Sequence, residues 1–235
     1  MFKFLVVFIS LQFSTSVLSQ NYKVTYSISK DILAQKENGS QAKIATLNFE
    51  GQILANKNRF IYYKVPLYLK SYPNKSVTTF SNNMYSTISI PCDTIQGIYY
   101  NDIDSLIIRY RPDGAPHYTG NNIMRKVDKN YSRKWEFLKE EKTINSFKCQ
   151  KAQLYNSNKV LVWEVWFTDK VLFPIGPVSI RDLPGLVVQA FSPITSELFI
   201  LKSIEQLKFI DTNKFWPNEF RVYTFTEQGV LRDRN

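Results

Sequence analysis

Few residues of this sequence have the types and spacing that catalysis requires. His117 is the only histidine, and it lies in Pro116-His117-Tyr118, a context typical of a loop. A Ser-His-Asp or Cys-His catalytic set would have to include this histidine. No serine is flanked by the glycines of a nucleophile elbow. We therefore interpret His117 as a surface loop residue and predict no catalytic residues.

Carboxylates are the remaining candidates for chemistry. Asp102 and Asp104 occupy alternate positions, loosely as in calcium-binding loops, but the sequence around them lacks the glycine and the final glutamate of that motif. A solvated turn between strands is the simpler interpretation. Glu140 and Glu141 could each form an acid–base pair with a distant aspartate, although no spacing selects them.

The two cysteines, Cys92 and Cys149, allow two interpretations. Outside the cytoplasm they could form a disulfide, which would stabilise the fold by about 4 kcal/mol because it closes a long loop. Cys149 lies in an alternating stretch, so a buried free thiol is the alternative. One histidine and two distant cysteines lack the spacing of a zinc site. We predict neither a metal nor a cofactor.

The first residues predict export. A basic start, Met1-Phe2-Lys3, precedes an apolar run and a polar stretch that ends at Ser19, which is the pattern of a secretory signal peptide. Residues 1–19 are thus predicted to be a cleaved signal, followed by one domain over residues 20–235. No later apolar stretch is long enough for a membrane-spanning helix.

Alternation of apolar and polar residues predicts the fold. In residues 22–28, tyrosine, valine and isoleucine alternate with lysine, threonine and serine, which is typical of a strand with one solvated face. The pattern recurs along the chain, with turn residues between the segments. We expect a mainly β fold, a single antiparallel sheet domain shaped as a curved open barrel or a sandwich, with little helix. Only residues 31–38 could form a turn or two of helix.

The net charge of the chain excludes few classes of partner. The chain carries a net charge of +10, but its basic residues are scattered and match no nucleic-acid-binding motif. A solubilising surface is one interpretation, and attraction to an anionic envelope surface is the other. We predict no nucleic-acid partner.

The segment from Trp135 to Phe191 is the most informative. Leu183-Pro184-Gly185-Leu186 suits a type II turn, in which proline presets φ and glycine supplies a positive φ. Gly176-Pro177 forms a second rigid corner. The loop between them is either the edge of a binding cleft or a folding corner that fixes strand register. The residues predicted for the binding edge are Trp166, Gly176, Pro177, Arg181, Asp182, Leu183, Pro184 and Gly185.

A family resemblance rests on residues in this part of the chain: Trp135, Cys149-Gln150-Lys151-Ala152, Trp166-Phe167-Thr168, Gly176-Pro177 and Leu183-Pro184-Gly185-Leu186. In their order and spacing, residues 135–189 resemble the GLPGLI family of exported proteins of Gram-negative bacteria. Asp182 replaces the first glycine of the motif, which suggests that this position does not require a positive φ. Val187 replaces its isoleucine. The resemblance implies a β-rich periplasmic or outer-membrane-associated protein, and it implies no activity.

Two classes of function follow. The first is a non-catalytic envelope module that binds an apolar or envelope ligand, as a carrier, or an outer-membrane protein partner, as an assembly factor. A carrier would enclose an apolar cavity, whereas an assembly factor would have a filled interior and exposed apolar side chains. The second is an envelope hydrolase with an unrecognised carboxylate-based site. It would require several of the titratable groups named above to converge in one cleft.

Overall fold

The computed structural model of the protein describes residues 21–35, 39–56, 59–68, 71, 76–81, 84–89, 96–102, 107–111, 123–126, 133–173, 175–178, 180–211, 223–225 and 231–233. Fifteen strands lie in these ranges. They are β1 Asn21–Gln35, β2 Gln41–Ala55, β3 Arg59–Pro66, β4 Ser76–Ser81, β5 Met84–Ser89, β6 Gln96–Asp102, β7 Ile107–Arg111, β8 Ile123–Lys126, β9 Glu136–Ile144, β10 Phe147–Tyr155, β11 Leu161–Thr168, β12 Leu186–Ser192, β13 Glu197–Leu207, β14 Tyr223–Phe225 and β15 Leu231–Asp233.

Eleven of the strands form one antiparallel sheet in the order β8-β7-β6-β3-β2-β1-β13-β12-β11-β10-β9. The sheet consists of two meanders, one from each half of the chain, joined where β1 pairs with β13. Strands β8 and β9 are its two edges, and no pairing between them closes the sheet within the described residues. The predicted mainly β, antiparallel fold is confirmed, and the sheet is open.

The sheet buries one face, here called the core face, which is defined by Val24, Tyr26 and Ile28 of β1. Register partners continue this face into both halves, for example Phe49 on β2 and Phe199 on β13, each opposite Ile28. All of these side chains are at most 3 % exposed. The opposite face of the sheet is called the outer face.

An ion pair shows that the core face is concave. The Nζ of Lys64 on β3 lies 3.0 Å from Oε1 of Glu197 on β13, although β2 and β1 separate these strands. In a flat sheet, strands three positions apart are about 14 Å apart, and their side chains stand roughly perpendicular to the sheet. The two side chains therefore meet because the sheet bends around the core.

The prediction of helix within residues 31–38 is wrong for 31–35, and residues 36–38 lie outside the described residues. Strand β1 continues to Gln35 and pairs with β2 along this stretch. The carboxylate of Asp31 accepts a hydrogen bond of 2.7 Å from the hydroxyl of Thr46 and lies 2.9 Å from Nζ of Lys43. These cross-strand contacts stabilise a β-ribbon where local helical propensity is weak.

The described part of the chain contains no helix with the length and apolar character of a membrane span. The predicted signal peptide, residues 1–19, lies outside the described residues.

Candidate functional site

The loop between β11 and β12, residues 169–185, contains most of the predicted binding residues. Backbone hydrogen bonds within the loop hold its shape. The amide of Gly176 donates to the carbonyl oxygen of Ile180 at 2.9 Å, and the amide of Ile180 donates to Pro177 at 3.1 Å. Ile175 and Arg181 form an isolated antiparallel bridge. These bonds close residues 175–181 into a compact turn, which we call the 175–181 turn.

Apolar side chains anchor this loop to the core. Phe173, Ile175, Ile180 and Leu183 are all buried, and Ile180 is fully enclosed. The ring of Phe173 packs edge-on against Tyr22 of β1, with centroids 5.8 Å apart. The loop therefore belongs to the hydrophobic core on one side, which limits how far it can move.

The segment before β9 also holds the loop. Nε1 of Trp135 donates a hydrogen bond of 2.9 Å to the carbonyl oxygen of Arg181. The amide of Arg133 donates to Oδ2 of Asp182 at 3.1 Å. Trp135 is one of the residues on which the family resemblance rests, but it was not predicted as part of the binding edge. The contact of Arg133 with Asp182 uses a backbone amide, which every residue except proline has, so residue type does not indicate it in advance.

The prediction of a type II turn at residues 183–186 is wrong. Gly39 is the only glycine with a positive φ among the described residues, so Gly185 does not supply one. Glycine is required at 185 for space instead. A Cβ there would lie 2.0 Å from the carbonyl oxygen of Thr168, far inside van der Waals contact. A similar limit applies at Gly176, whose Cβ would lie 2.8 Å from Cγ2 of Val187.

The expectation that position 182 does not require a positive φ is also wrong. Asp182 has a φ of 65°. Aspartate is among the few residues that tolerate this left-handed region, and glycine adopts it at least cost. Val178 has a φ of 61°, which is costly for a β-branched residue and shows that the surrounding turn determines its conformation.

Arg181 and Asp182 are the charged residues of the loop. Nε of Arg181 lies 3.6 Å from Oδ2 of Asp182, and their side chains are 18 % and 38 % exposed. This Nε is buried and has no hydrogen-bond acceptor in the described part of the chain. The Trp135 contact uses the backbone of Arg181, so its side chain can be changed without removing that bond.

Trp166 lies on the outer face, apart from these loop contacts. It pairs in register with Lys151 and Gln189. Its ring lies 4.1 Å from Nζ of Lys142 and 5.6 Å from Nζ of Lys151, and only 7 % of the residue is exposed. Trp166 is thus nearly buried next to two lysines. Among the described tryptophans, Trp135 is the one with a hydrogen bond to the predicted loop.

Lys151 is the best-paired of these lysines. It lies 3.2 Å from carboxylate oxygens of both Glu140 and Glu164. Partial desolvation alone would lower the pKa of Lys151, but hydrogen bonds to the two glutamates outweigh it and the pKa is raised. The lysine therefore remains charged above Trp166. Cation–π contacts contribute about 0.5–1 kcal/mol at exposed sites.

Of the two cysteines, only Cys149 lies within the described residues. Cys149 on β10 is buried and forms no disulfide with another described residue. Burial raises the pKa of this thiol, and the backbone and Lys142 oppose the shift only in part. Cys92 lies outside the described residues, so the disulfide between them stays an untested prediction.

Of the candidate carboxylates, Glu140 and Glu141 have described side chains, and each of them contacts a lysine. Glu140 and Glu141 are neighbours on the edge strand β9, so their side chains point to opposite faces. Glu140 contacts Lys151, whereas Glu141 lies 2.7 Å from Nζ of Lys148. Asp104, His117 and the side chain of Asp102 lie outside what the structure describes. Within the described residues, no group of three or more His, Cys, Asp or Glu could hold a metal ion.

No family model matches the chain, and no curated protein matches it. Solved structures show a likeness of fold. The chain is similar to PNGF-II in its P21 crystal form, with a TM-score of 0.50 and 15 % identity over 88 % of this chain. The C2 form gives a TM-score of 0.51 and 15 % identity over 89 % of this chain. The chain spans about a third of the length of PNGF-II, 31 % and 32 % of the two chains.

Proposed function

We propose that this chain is an exported, non-catalytic binding module of the Gram-negative envelope, and that it docks a protein partner through the loop of residues 169–185. The observation that carries the proposal is the construction of this loop. It is fixed to the core by Phe173, Ile180 and Leu183 and to the preceding segment by Trp135, while other side chains of the loop reach solvent.

Rigid loops on a β scaffold are well suited to recognition, because little conformational freedom is lost when a partner binds. The loop exposes Leu172, which is 63 % exposed, and Asp182, whose side chain is 38 % exposed, while the side chain of Arg181 is 18 % exposed. Arginine is enriched among the residues that dominate the affinity of protein–protein interfaces.

The packing of the core favours a protein partner over an enclosed lipid. Within the described residues, the core face is filled by side chains with almost no exposure, such as Val24, Val165 and Phe199. A lipid carrier would need an apolar cavity of several hundred Å³ there. Large apolar side chains are instead exposed outside the core, among them Phe209 at 76 % and Ile194 at 59 %.

The likeness to PNGF-II supports the idea of a module. This fold accounts for about a third of each PNGF-II chain, so it also occurs as one part of a longer protein. The match supports the fold alone and transfers no activity.

Membership of the GLPGLI family, and with it the envelope location, is part of the proposal. It is supported by the φ of 65° at Asp182, the position where the family motif has glycine. A glycine would adopt that conformation at least cost. The geometry of position 182 therefore suits the motif even though the residue differs.

Photo-crosslinking in cells tests the proposed docking surface. A photoreactive amino acid is placed at Leu172 on the loop or, as the control, at Val160, which is 50 % exposed in the β10–β11 turn. The eight residues of β11 hold these positions about 25 Å apart.

A discrete crosslinked protein at 172 and not at 160, abolished by Arg181→Ala without a change in melting temperature, is the expected result. The same products from both positions, or products that persist in Arg181→Ala, would show that the loop is only a folding corner.

A further inference from the structure

A cavity of about 160 Å³ opens between the β9–β10 hairpin and the turn that follows β11. Its apolar lining includes Phe167 and Cys149, which are 2 % and 1 % exposed. A cavity of about 150 Å³ can hold benzene. The space is therefore suited to a small molecule and too small for a lipid chain or a folded partner.

Charged side chains of both signs line the same cavity. Nζ of Lys148 lies 2.7 Å from Oε2 of Glu141, so these two groups neutralise each other. The hydrogen bond and the charge of Glu141 raise the pKa of Lys148, and the charge of Asp169 adds to the shift.

Asp169 and Lys170 differ from that pair. Both side chains are exposed and line the cavity. In the described part of the chain, neither side chain forms a hydrogen bond or an ion pair; only the amide of Lys170 is engaged, with the hydroxyl of Thr168 at 3.4 Å. The cavity thus has one carboxylate and one ammonium group without a contacting partner, and Asp169 acts on Lys148 only through its charge.

We propose that this cavity binds a small zwitterion, an α-amino acid with a short apolar side chain. Its carboxylate faces Lys170, its ammonium group faces Asp169, and its side chain contacts the apolar lining formed by Phe167 and Cys149.

The balance of charge selects this ligand class. Two cationic and two anionic side chains line the cavity, so a purely anionic or purely cationic ligand gains from one group and is repelled by another. A zwitterion satisfies both free groups. Because these groups are exposed and screened by salt, the affinity is expected to be millimolar at low ionic strength. The inference does not depend on the proposed partner, although Asp169 and Lys170 are the first two residues of the loop proposed to dock it.

Binding is tested by NMR titration of the mature protein at low salt with L-valine. Isobutylamine, which lacks the carboxylate, and isovalerate, which lacks the ammonium group, serve as matched probes. Amide shifts are followed in residues 148–150 and 167–170. The variants are Asp169→Asn and Lys170→Gln, with Lys139→Gln, an exposed lysine of β9, as the control.

We expect L-valine to shift these amides, with each matched probe binding at least about threefold more weakly. Asp169→Asn and Lys170→Gln each weaken L-valine binding by about threefold, corresponding to about 0.6 kcal/mol, while Lys139→Gln leaves it unchanged. The proposal is overturned if L-valine causes no shifts at millimolar concentration, or if the single-charge probes bind equally well. Equal loss in Lys139→Gln would also overturn it, since the effect would then be general surface charge.

Discussion

The indole Nε1 of Trp135 donates a hydrogen bond of 2.9 Å to the carbonyl oxygen of Arg181, 46 residues further along the chain. This bond joins the segment before β9 to the loop between β11 and β12, across three strands of the sheet. Because it uses a backbone acceptor, it fixes the position of the loop whatever side chain residue 181 carries. Residue 181 can therefore vary for recognition while the loop keeps its shape.

Trp135→Phe should destabilise the protein by about 1 kcal/mol more than Trp163→Phe, because it leaves the Arg181 carbonyl without its donor. The two tryptophans are comparably buried, at 9 % and 8 % exposure, so both changes lose similar apolar area. Urea denaturation gives the stabilities, and hydrogen exchange at Gly176 and Ile180 should accelerate only in Trp135→Phe. Equal losses in the two variants would show that the hydrogen bond contributes nothing.

Gly185→Ala should be strongly destabilising, by about 3 kcal/mol or more, because the new Cβ would overlap the backbone of Thr168. Gly39→Ala provides the contrast. At Gly39 the φ is +77° and nothing lies within 4 Å, so alanine should cost about 1–2 kcal/mol through backbone strain alone.

Asparagine separates the two causes, since it tolerates a positive φ but has a larger side chain than alanine. We expect Asn to be partly accepted at 39 and rejected at 185 in thermal denaturation. A stable Gly185→Asn variant would contradict the close backbone approach.

Alternation in the sequence was sufficient to predict strands, as in β1, where each apolar residue from Val24 to Ile28 faces the core. It could not predict that β1 pairs with β13, because partner choice depends on contacts between distant parts of the chain. The corners at Gly176 and Gly185 were recognised from residue type, but the physical reason why these positions require glycine was not. A sequence shows that glycine is present, and only the structure shows that space, not φ, requires it at 185.

The construction of the loop was predicted less completely. Its corners were recognised because proline and glycine mark them. Trp166 was predicted for the same binding edge. Neighbouring residues of a strand face opposite sides of the sheet, and the register places Trp166 on the outer face.

Asp31 should contribute to a modest pH dependence of stability. The hydrogen bonds from Lys43 and Thr46 lower its pKa. With a folded pKa below the unfolded value, which is about 3.9, the contribution is complete above that value and is lost as the pH falls through the folded pKa. The side chain of Asp31 is 37 % exposed, so screening keeps this contribution below about 1 kcal/mol.

Asp31→Asn should therefore lower the free energy of unfolding at neutral pH, and the difference from the wild type should vanish in acid. Glu136→Gln, at an exposed site on β9, is the control and should show little change at either pH. A difference for Asp31→Asn that persists unchanged in acid would mean that packing, not charge, causes it.

Cys149 should react far more slowly in the folded protein than after unfolding, because it is 1 % exposed and burial raises the pKa of its thiol. Without reductant, iodoacetamide should therefore modify it fully only after unfolding, which mass spectrometry of the digested protein detects. Modification that requires reductant even in the unfolded protein would instead establish the disulfide with Cys92.

The central claim is that the chain binds a protein partner through the loop of residues 169–185. Native mass spectrometry of the mature chain, purified gently from the envelope of its own host, tests it most directly. We predict a complex with a second protein that is absent from the Arg181→Ala preparation, while the folded chain itself is recovered in equal amount. A bare chain, or a chain that carries a lipid and no protein, would contradict the claim.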